Sequence, residues 1–175
     1  MGLLVRAVAY AALFIGFVLV FLPARILAEA GVRPPQNVGV LQALGIFVTA
    51  VGASLAIWCI FTFVFVGRGT PAPFNPPRRL VDRGPYRMVR NPMYLGAGLA
   101  LGGAALFYRS GALATYAGLF LVLTHLFVRL YEEPTLRRKF GDEYAAYCRQ
   151  VGRWLPKFHS MSEGGNKPEY GARKR

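Results

Sequence analysis

Two carboxylates stand side by side, at Glu132 and Glu133, where the last long apolar segment of the chain ends. About forty residues upstream, the run Arg90-Asn91-Pro92-Met93-Tyr94 opens another apolar segment. An acidic pair is unusual at the edge of a membrane segment, because the flanking excess is normally lysine and arginine. Carboxylates packed between hydrophobic helices cost free energy unless a cation meets them. We therefore interpret the pair as a site for a cation, and we expect that cation to be a bound cofactor.

Composition places the chain among membrane proteins. Of its 175 residues, 54% are hydrophobic and 17% are charged, and the apolar residues are concentrated in long runs. The net charge is +13, and because of these runs we expect membrane lipids with anionic headgroups, rather than nucleic acid, as partners. Cys59 lies in an apolar run and Cys148 in a basic region, so no disulfide is predicted. No cysteine and histidine cluster predicts a metal site, and the sequence leaves the oligomeric state open.

Four apolar runs predict four transmembrane helices, at residues 3–22, 40–66, 93–108 and 112–130. A first loop is predicted at residues 23–39. Segment 67–91 and the tail after Tyr131 are both strongly basic, and they flank the last two helices, so they lie on one side of the membrane. By the positive-inside rule that side is cytoplasmic, and both termini are then inside. Because arginine far outnumbers lysine, we expect a GC-rich bacterial gene and a bacterial inner membrane.

The cytoplasmic parts are predicted to have structure of their own. Residues 70–77 contain four prolines and should form an extended connector. Asn91 is expected to cap a helix whose first position is Pro92. The run Phe140-Gly141-Asp142 should break a polar helix, which then restarts.

The restarted helix has one apolar face, formed by Tyr144, Tyr147, Cys148 and Val151. This pattern predicts an amphipathic helix that lies on the membrane surface or closes over the bundle. The predicted fold is therefore all-α: an integral membrane bundle of four transmembrane helices with a C-terminal cytoplasmic amphipathic helix. Residues 1–156 would form a single domain, and residues 157–175 a basic, disordered tail.

Two signatures carry a resemblance to a known family. Residues 84–96, GPYRMVRNPMYLG, resemble the first signature of the isoprenylcysteine carboxyl methyltransferase and phospholipid methyltransferase superfamily. Residues 132–136, EEPTL, together with the positions that follow up to VGRWLP at 151–156, resemble the second. The resemblance covers residues 84–156 and implies an integral-membrane enzyme that uses S-adenosylmethionine. Two departures stand out, since many members have histidine in place of Asn91 and proline in place of Gly152.

The candidate cofactor residues suit the chemistry of S-adenosylmethionine, which carries a sulfonium, an ammonium, a carboxylate, a ribose diol and an adenine. Glu132 and Glu133 can accept from the diol or the ammonium, and the helix N-terminus near Asn91 can hold the carboxylate. Glycines let a ligand lie close to the backbone. The predicted cofactor-binding residues are Arg90, Asn91, Pro92, Tyr94, Gly96, Gly98, Glu132 and Glu133.

The predicted catalytic residues are His125 and Arg129. With Glu132, Glu133 and Leu136 they follow helical spacing and should form one stripe that faces the bundle or a cavity. A carboxylate or thiolate acceptor needs only a cation such as Arg129 to position it. An amine acceptor must lose a proton, so His125 or a glutamate would be the base. The acceptor stays open between an isoprenylcysteine-like carboxylate, a phospholipid amine and a small thiol.

Each of these residues also has a plainer interpretation. The glutamates can be ion-paired with Arg129, and Arg90 can be one more positive-inside charge. The glycines can serve helix packing, Tyr94 can be an interfacial aromatic, and His125 can be a hydrogen-bonded bundle residue. Two other functions fit the same pattern. One is a non-catalytic lipid-binding or assembly protein on this scaffold, and the other is a sterol-reductase-like NADPH enzyme.

Overall fold

The computed structural model describes residues 15–62 and 80–157, and all regular elements in these ranges are helical. A π-helical stretch, Ile15–Phe21, runs into α1, Leu22–Glu29. The long helix α2 spans Val40–Thr62, and a short 3₁₀ turn spans Gly84–Arg87. Helices α3, Pro92–Tyr108, and α4, Gly111–Phe127, follow. A second π-helical stretch, Val128–Glu132, leads directly into α5, Glu133–Gln150. The predicted all-α class is confirmed for the described residues.

Two helices in the described ranges are long and apolar enough to cross a membrane, namely α2 and the continuous helix Gly111–Gln150. Helix α3 is apolar but has only 17 residues, fewer than the roughly 20 that a bilayer needs. Four spans therefore remain a prediction. Residues 70–77 and the tail from residue 158 lie outside the described residues, as do residues 1–14 of the first predicted span.

The first loop, predicted to begin at residue 23, begins later in the structure. Helix α1 continues through Pro23 and ends only at Glu29. Pro23 lies where the π-helical stretch passes into α1, so its missing N–H removes one hydrogen bond from the helical run without ending it. An exposed ion pair between Arg25 and Glu29, 2.9 Å long, links the last turn across one helical repeat.

A seam of glycines joins α2 to α3. A Cβ atom on Gly52 would lie 2.5 Å from the amide nitrogen of Ala100 and 2.5 Å from the carbonyl oxygen of Gly96. A Cβ atom on Gly45 would meet the backbone of Phe107 at 2.6 Å. The two backbones are therefore in direct contact, as small residues allow in membrane helices. This close approach confirms that α3 is packed among the other helices.

Helices α3 and α4 form the predicted antiparallel hairpin. Arg109 adopts the left-handed conformation, with φ of 49°, and ends α3. The Ser110 side chain accepts a hydrogen bond from the Leu113 amide at 3.3 Å and so caps α4. Buried residues from both helices pack between them, including Leu101 and Phe120.

Beyond α4 the chain bends back toward the start of α3. Gly141, with φ of 51° and ψ of −124°, leaves the helical conformation inside α5, so the polar helix breaks and restarts where the sequence predicts it. After α5, residues 151–157 cross back, and Gly152 forms an isolated parallel bridge with Val89. We call residues 151–157 the C-terminal strap. The start of α3, the second π-helical stretch, α5 and the strap thus meet at one end of the bundle.

Candidate functional site

A cavity lies where these segments meet. It offers about 60 Å³ to the centres of water-sized molecules, enough for a few waters. One part of its wall is apolar, with Leu80, Val81, Val128 and Leu136. The other part is polar and brings together residues that are up to 61 positions apart in the chain: Tyr86, Arg90, Asn91, Glu132, Glu133, Tyr144 and Tyr147.

Glu133 is the anchor of this polar wall. It is only 6% exposed, and the Arg153 guanidinium binds it through two parallel hydrogen bonds, Nε to Oε1 and Nη2 to Oε2, both 2.8 Å. Arg90 adds an ion pair, with its Nη1 3.1 Å from Oε1. Burial alone would raise the pKa of Glu133, but the Arg153 hydrogen bonds and the charges of Arg90, Arg153 and Arg137 outweigh it and hold the pKa below its usual value. Glu133 is therefore ionised and fully engaged.

Glu132 lies beside it in a different environment. Both glutamates lie beyond the predicted membrane segment of this helix, which ends at Leu130. The Oε2 atom of Glu132 is buried and has no hydrogen-bond partner among the described residues. Burial raises the pKa of Glu132 to about 7, the hydrogen bond with Tyr94 opposes this rise, and the charge of Glu133 adds to it. One carboxylate oxygen is thus free to accept from a ligand.

Arg90 supplies a matching donor. Its Nη1 atom contacts Glu133 and also lies 2.7 Å from the Cys148 sulfur, while its backbone N–H donates to the Gly152 carbonyl at 2.8 Å. Its Nε atom is buried and has no partner among the described residues. Arg90 and Arg153 together carry two positive charges against the single charge of Glu133. The cavity therefore has a cationic donor at Arg90 and an unpaired acceptor at Glu132 on its wall.

The start of α3 differs from the prediction in one respect. Pro92 occupies the first turn and is fully buried, as expected. Asn91 precedes it, but its side chain does not cap the helix. Instead its Nδ2 atom donates to the carbonyl oxygen of Arg153 at 3.3 Å, which ties α3 to the strap. The predicted Asn91 cap is wrong because the strap offers the amide a partner.

A family model for phospholipid methyltransferases matches residues 40–143, more than half of the chain. This match includes both the Arg90–Tyr94 region and the two glutamates. The chain belongs to the phospholipid methyltransferase family. No curated protein and no solved structure matches it significantly. Membership of the phospholipid methyltransferase family supports a membrane methyltransferase in general.

The two glycines predicted to bind the cofactor, Gly96 and Gly98, lie in helix contacts. A Cβ atom on Gly96 would meet the Gly52 carbonyl oxygen at 2.7 Å, and one on Gly98 would meet Leu121 Cδ2 at 2.5 Å. Neither glycine lines the cavity. The structure therefore explains Gly96 and Gly98 by packing, and their predicted cofactor contact gains no support from it. Tyr94 both packs against the α3–α4 core and reaches Glu132 with its hydroxyl.

The predicted polar stripe on the last helix is wrong. Arg129 is exposed and His125 is partly buried, and neither lines the cavity. The π-helical stretch, with its wider i→i+5 turns, shifts the residues after Val128 relative to a regular helical register. Glu133 consequently pairs with Arg90 and Arg153 rather than with Arg129. The Nδ1 atom of His125 accepts a hydrogen bond from the Trp154 indole at 3.0 Å.

Four polar residues at or beside the cavity were not among those predicted, namely Tyr86, Tyr144, Tyr147 and Arg153. Arg153 binds Glu133, and the Tyr147 hydroxyl donates to the Tyr86 carbonyl oxygen at 2.7 Å, which holds the loop before α3 against α5. Tyr147 stands on the predicted apolar face of α5, and Arg153 stands in the second signature. Their contacts join segments far apart in sequence, so spacing gave no signal for them.

Proposed function

We propose that this protein is a membrane methyltransferase that transfers a methyl group from S-adenosylmethionine to a lipophilic acceptor. One observation carries the proposal. Two buried polar atoms of opposite character, Glu132 Oε2 and Arg90 Nε, have no partners among the described residues and belong to side chains that line one cavity. Buried polar groups without partners are rare in proteins and suggest a missing ligand.

The residues present fit the charged end of S-adenosylmethionine. Glu132 would hold the cationic groups, and Arg90 would hold the amino-acid carboxylate. The cavity accommodates only a few waters in this form, so we assign to it the charged end of the cofactor rather than the whole molecule. When bound, the sulfonium supplies an activated methyl group. Glu133 is already engaged by two arginines and is not expected to touch the cofactor, which refines the sequence-based assignment.

The protein's own contribution to the reaction is alignment and desolvation. Methyl transfer is an in-line displacement, so the chain must hold the acceptor in line and exclude water. The apolar residues Leu80, Val81 and Leu136 on the cavity wall suit an acceptor that arrives from the lipid. An amine acceptor must also lose a proton, and because Glu132 is assigned to the cofactor's cationic groups, we assign that base to no described residue. His125 and Arg129 lie outside the cavity, so we no longer assign them to the reacting centre.

The acceptor we favour is a membrane lipid, because the family is that of phospholipid methyltransferases. An isoprenylcysteine-like carboxylate and a small thiol stay as alternatives. The charge of the loops supports a site on the cytoplasmic face of a bacterial inner membrane, with both termini inside. Arg83, Arg87, Arg137 and Arg138 stand in the described parts of these basic regions. Labelling of single cysteines placed at Arg83 and Arg138, with an impermeant reagent on intact cells, tests this orientation, and labelling of both would reverse it.

Ligand binding by the detergent-solubilised protein tests the function. S-adenosylhomocysteine at about 100 times its Kd should stabilise the protein by roughly 2.7 kcal/mol, while NADPH should have no effect. The same preparation should transfer labelled methyl groups from S-adenosylmethionine into one of three acceptors: phosphatidylethanolamine, a farnesylated cysteine or a thiol. Stabilisation by NADPH alone would favour the reductase alternative. No response to either ligand would favour the non-catalytic lipid-binding protein.

A further inference from the structure

The C-terminal strap is fixed to the rest of the molecule by several contacts, of which one brings a charge into the site. Trp154 binds His125, and the Lys157 ammonium donates to the carbonyl oxygens of Cys148 and Arg149 at 3.0 and 3.1 Å. These contacts involve neither glutamate. The Arg153 side chain, by contrast, binds both oxygens of Glu133. Arg153 lies outside the region that the family model matches.

Adjacent carboxylates create a problem for a site that must hold one cation. Glu132 and Glu133 repel each other, and each can attract the same positive group. A bidentate arginine removes one carboxylate from this competition because it fixes both of its oxygens. The structure shows this division, since both oxygens of Glu133 are bound and Glu132 keeps Oε2 free.

We propose that Arg153 is a positioning residue, whose fork holds Glu133 away from the ligand so that Glu132 alone binds the cationic part of the cofactor. This inference rests on the proposed function. It makes the strap, which carries the end of the second signature, part of the cofactor site. Arg153 is not expected to touch the cofactor and acts through Glu133.

The electrostatics around Glu132 give the proposal a measurable consequence. Glu133 on its own helix, Tyr94 on α3 and Tyr86 on the 3₁₀ turn all interact with Glu132, and Arg90 shares its cavity. Without Arg153, Glu133 would lose its bidentate partner and keep only the charges of Arg90 and Arg137 against it. Its field at Glu132 would then be stronger, and Glu132 would lose its proton only at higher pH.

The experiment measures S-adenosylhomocysteine affinity across pH for wild-type protein and for Arg153→Gln, Arg153→Lys and the double variant Arg153→Gln with Glu133→Gln. Two matched controls loosen the strap without touching Glu133, namely Lys157→Gln and Trp154→Phe. Melting temperature is recorded for every variant, so that loss of folding is separated from loss of binding.

Arg153→Gln should weaken binding about tenfold, and the pH midpoint of binding should move upward. The double variant should recover most of the affinity, because a neutral amide in place of the Glu133 carboxylate neither competes for the cation nor repels Glu132. Arg153→Lys keeps the positive charge but loses the planar guanidinium that binds both oxygens. Its affinity should lie between those of Arg153→Gln and the double variant. If Arg153→Gln fails to fold, Arg153→Lys and the double variant carry the test.

Two results would overturn the inference while leaving the proposed function intact. One is a wild-type protein that binds and an Arg153→Gln variant that binds equally well at every pH. The other is an equal loss of affinity in Lys157→Gln and Trp154→Phe, which would show that strap docking alone matters. A wild-type protein that does not bind at all would refute the proposed function, and this inference with it.

Discussion

The glycine seam between α2 and α3 is closely packed, whereas the charged end of the bundle contains polar atoms without partners. In the seam, backbone atoms of two helices meet directly and leave no space for even a methyl group at Gly52. At the charged end, two buried polar atoms have no partners among the described residues. Complete packing stabilises a fold, whereas unsatisfied polar groups cost stability and are kept where a ligand satisfies them. The glycine seam therefore serves stability, and the charged end is where we propose that the cofactor binds.

The two glutamates repeat this contrast on a smaller scale. Glu133 is buried and has every oxygen paired, as a structural ion pair does. Glu132, its neighbour in sequence, has one free oxygen and a pKa raised by burial. Identical side chains at adjacent positions thus have different tasks because their environments differ.

The largest effect is expected in the seam. Gly52→Leu should prevent the stable packing of α2 on α3, because its Cβ alone would lie 2.5 Å from two backbone atoms of α3. Overpacking typically costs about 1–3 kcal/mol, but here the contacted atoms belong to the backbone and cannot move aside, so the cost should exceed about 5 kcal/mol. The yield of monodisperse protein and its melting temperature measure the effect. Gly102→Ala on α3 is the control, since nothing lies within 4 Å of its Cβ, and it should be neutral or slightly stabilising.

Glu133→Gln should be the most destabilising change at the charged end. It would leave the guanidinium groups of Arg90 and Arg153 without their carboxylate, and breaking a buried pair costs about 3–5 kcal/mol. We expect the lower end of this range, because the Arg153 side chain is 30% exposed. Glu29→Gln is the control, since its pair with Arg25 is exposed and is worth less than about 1 kcal/mol. Equal melting temperatures for the two variants would remove Glu133 from its structural role.

Glu132→Gln should weaken ligand binding and leave the stability of the folded protein intact. The amide keeps the shape of the side chain but loses its charge, so S-adenosylhomocysteine affinity should fall roughly ten- to hundredfold. The melting temperature of the ligand-free protein should stay level or rise, because a neutral group is cheaper to bury than a carboxylate. Glu143→Gln, at an exposed position of α5, should change neither quantity. A drop in melting temperature without a change in affinity would mean that Glu132 is structural as well.

Much of this division was predictable from sequence, and the missing part has a physical reason. The apolar runs, the hairpin at Arg109 and the break at Gly141 depend on local composition and turn chemistry, and the structure has all three. The two signatures brought Arg90 and the glutamates to one site. The stripe through Arg129 failed because regular helical spacing was assumed across a π-helical stretch, which no feature of the sequence announces.

The partners of the site residues were harder to predict than the residues themselves. Glu133 has Arg129 four residues away, yet it pairs with Arg153, which is 20 residues away and returns through the strap. The choice depends on the kink at Gly141 and on the path after Val151, and both are long-range results of folding. For the same reason the Asn91 side chain binds the Arg153 carbonyl oxygen rather than capping its own helix.

The smallest effect, a dependence on pH, sharpens the comparison between the glutamates. The pKa of Glu132 is raised to about 7, so the folded ligand-free protein holds a proton there that the unfolded chain has lost above about pH 4.5. Its stability should therefore fall as pH rises from about 5 to 7. Binding of a cation needs the ionised form, so affinity should rise over the same window, by up to about tenfold per pH unit. Glu133, with its lowered pKa, stays ionised throughout and contributes to neither trend.

Melting temperature and S-adenosylhomocysteine affinity, measured from about pH 5 to 8, should thus move in opposite directions in the wild type. Both should be flat in Glu132→Gln, and parallel trends would show that Glu132 is not the group that meets the cation.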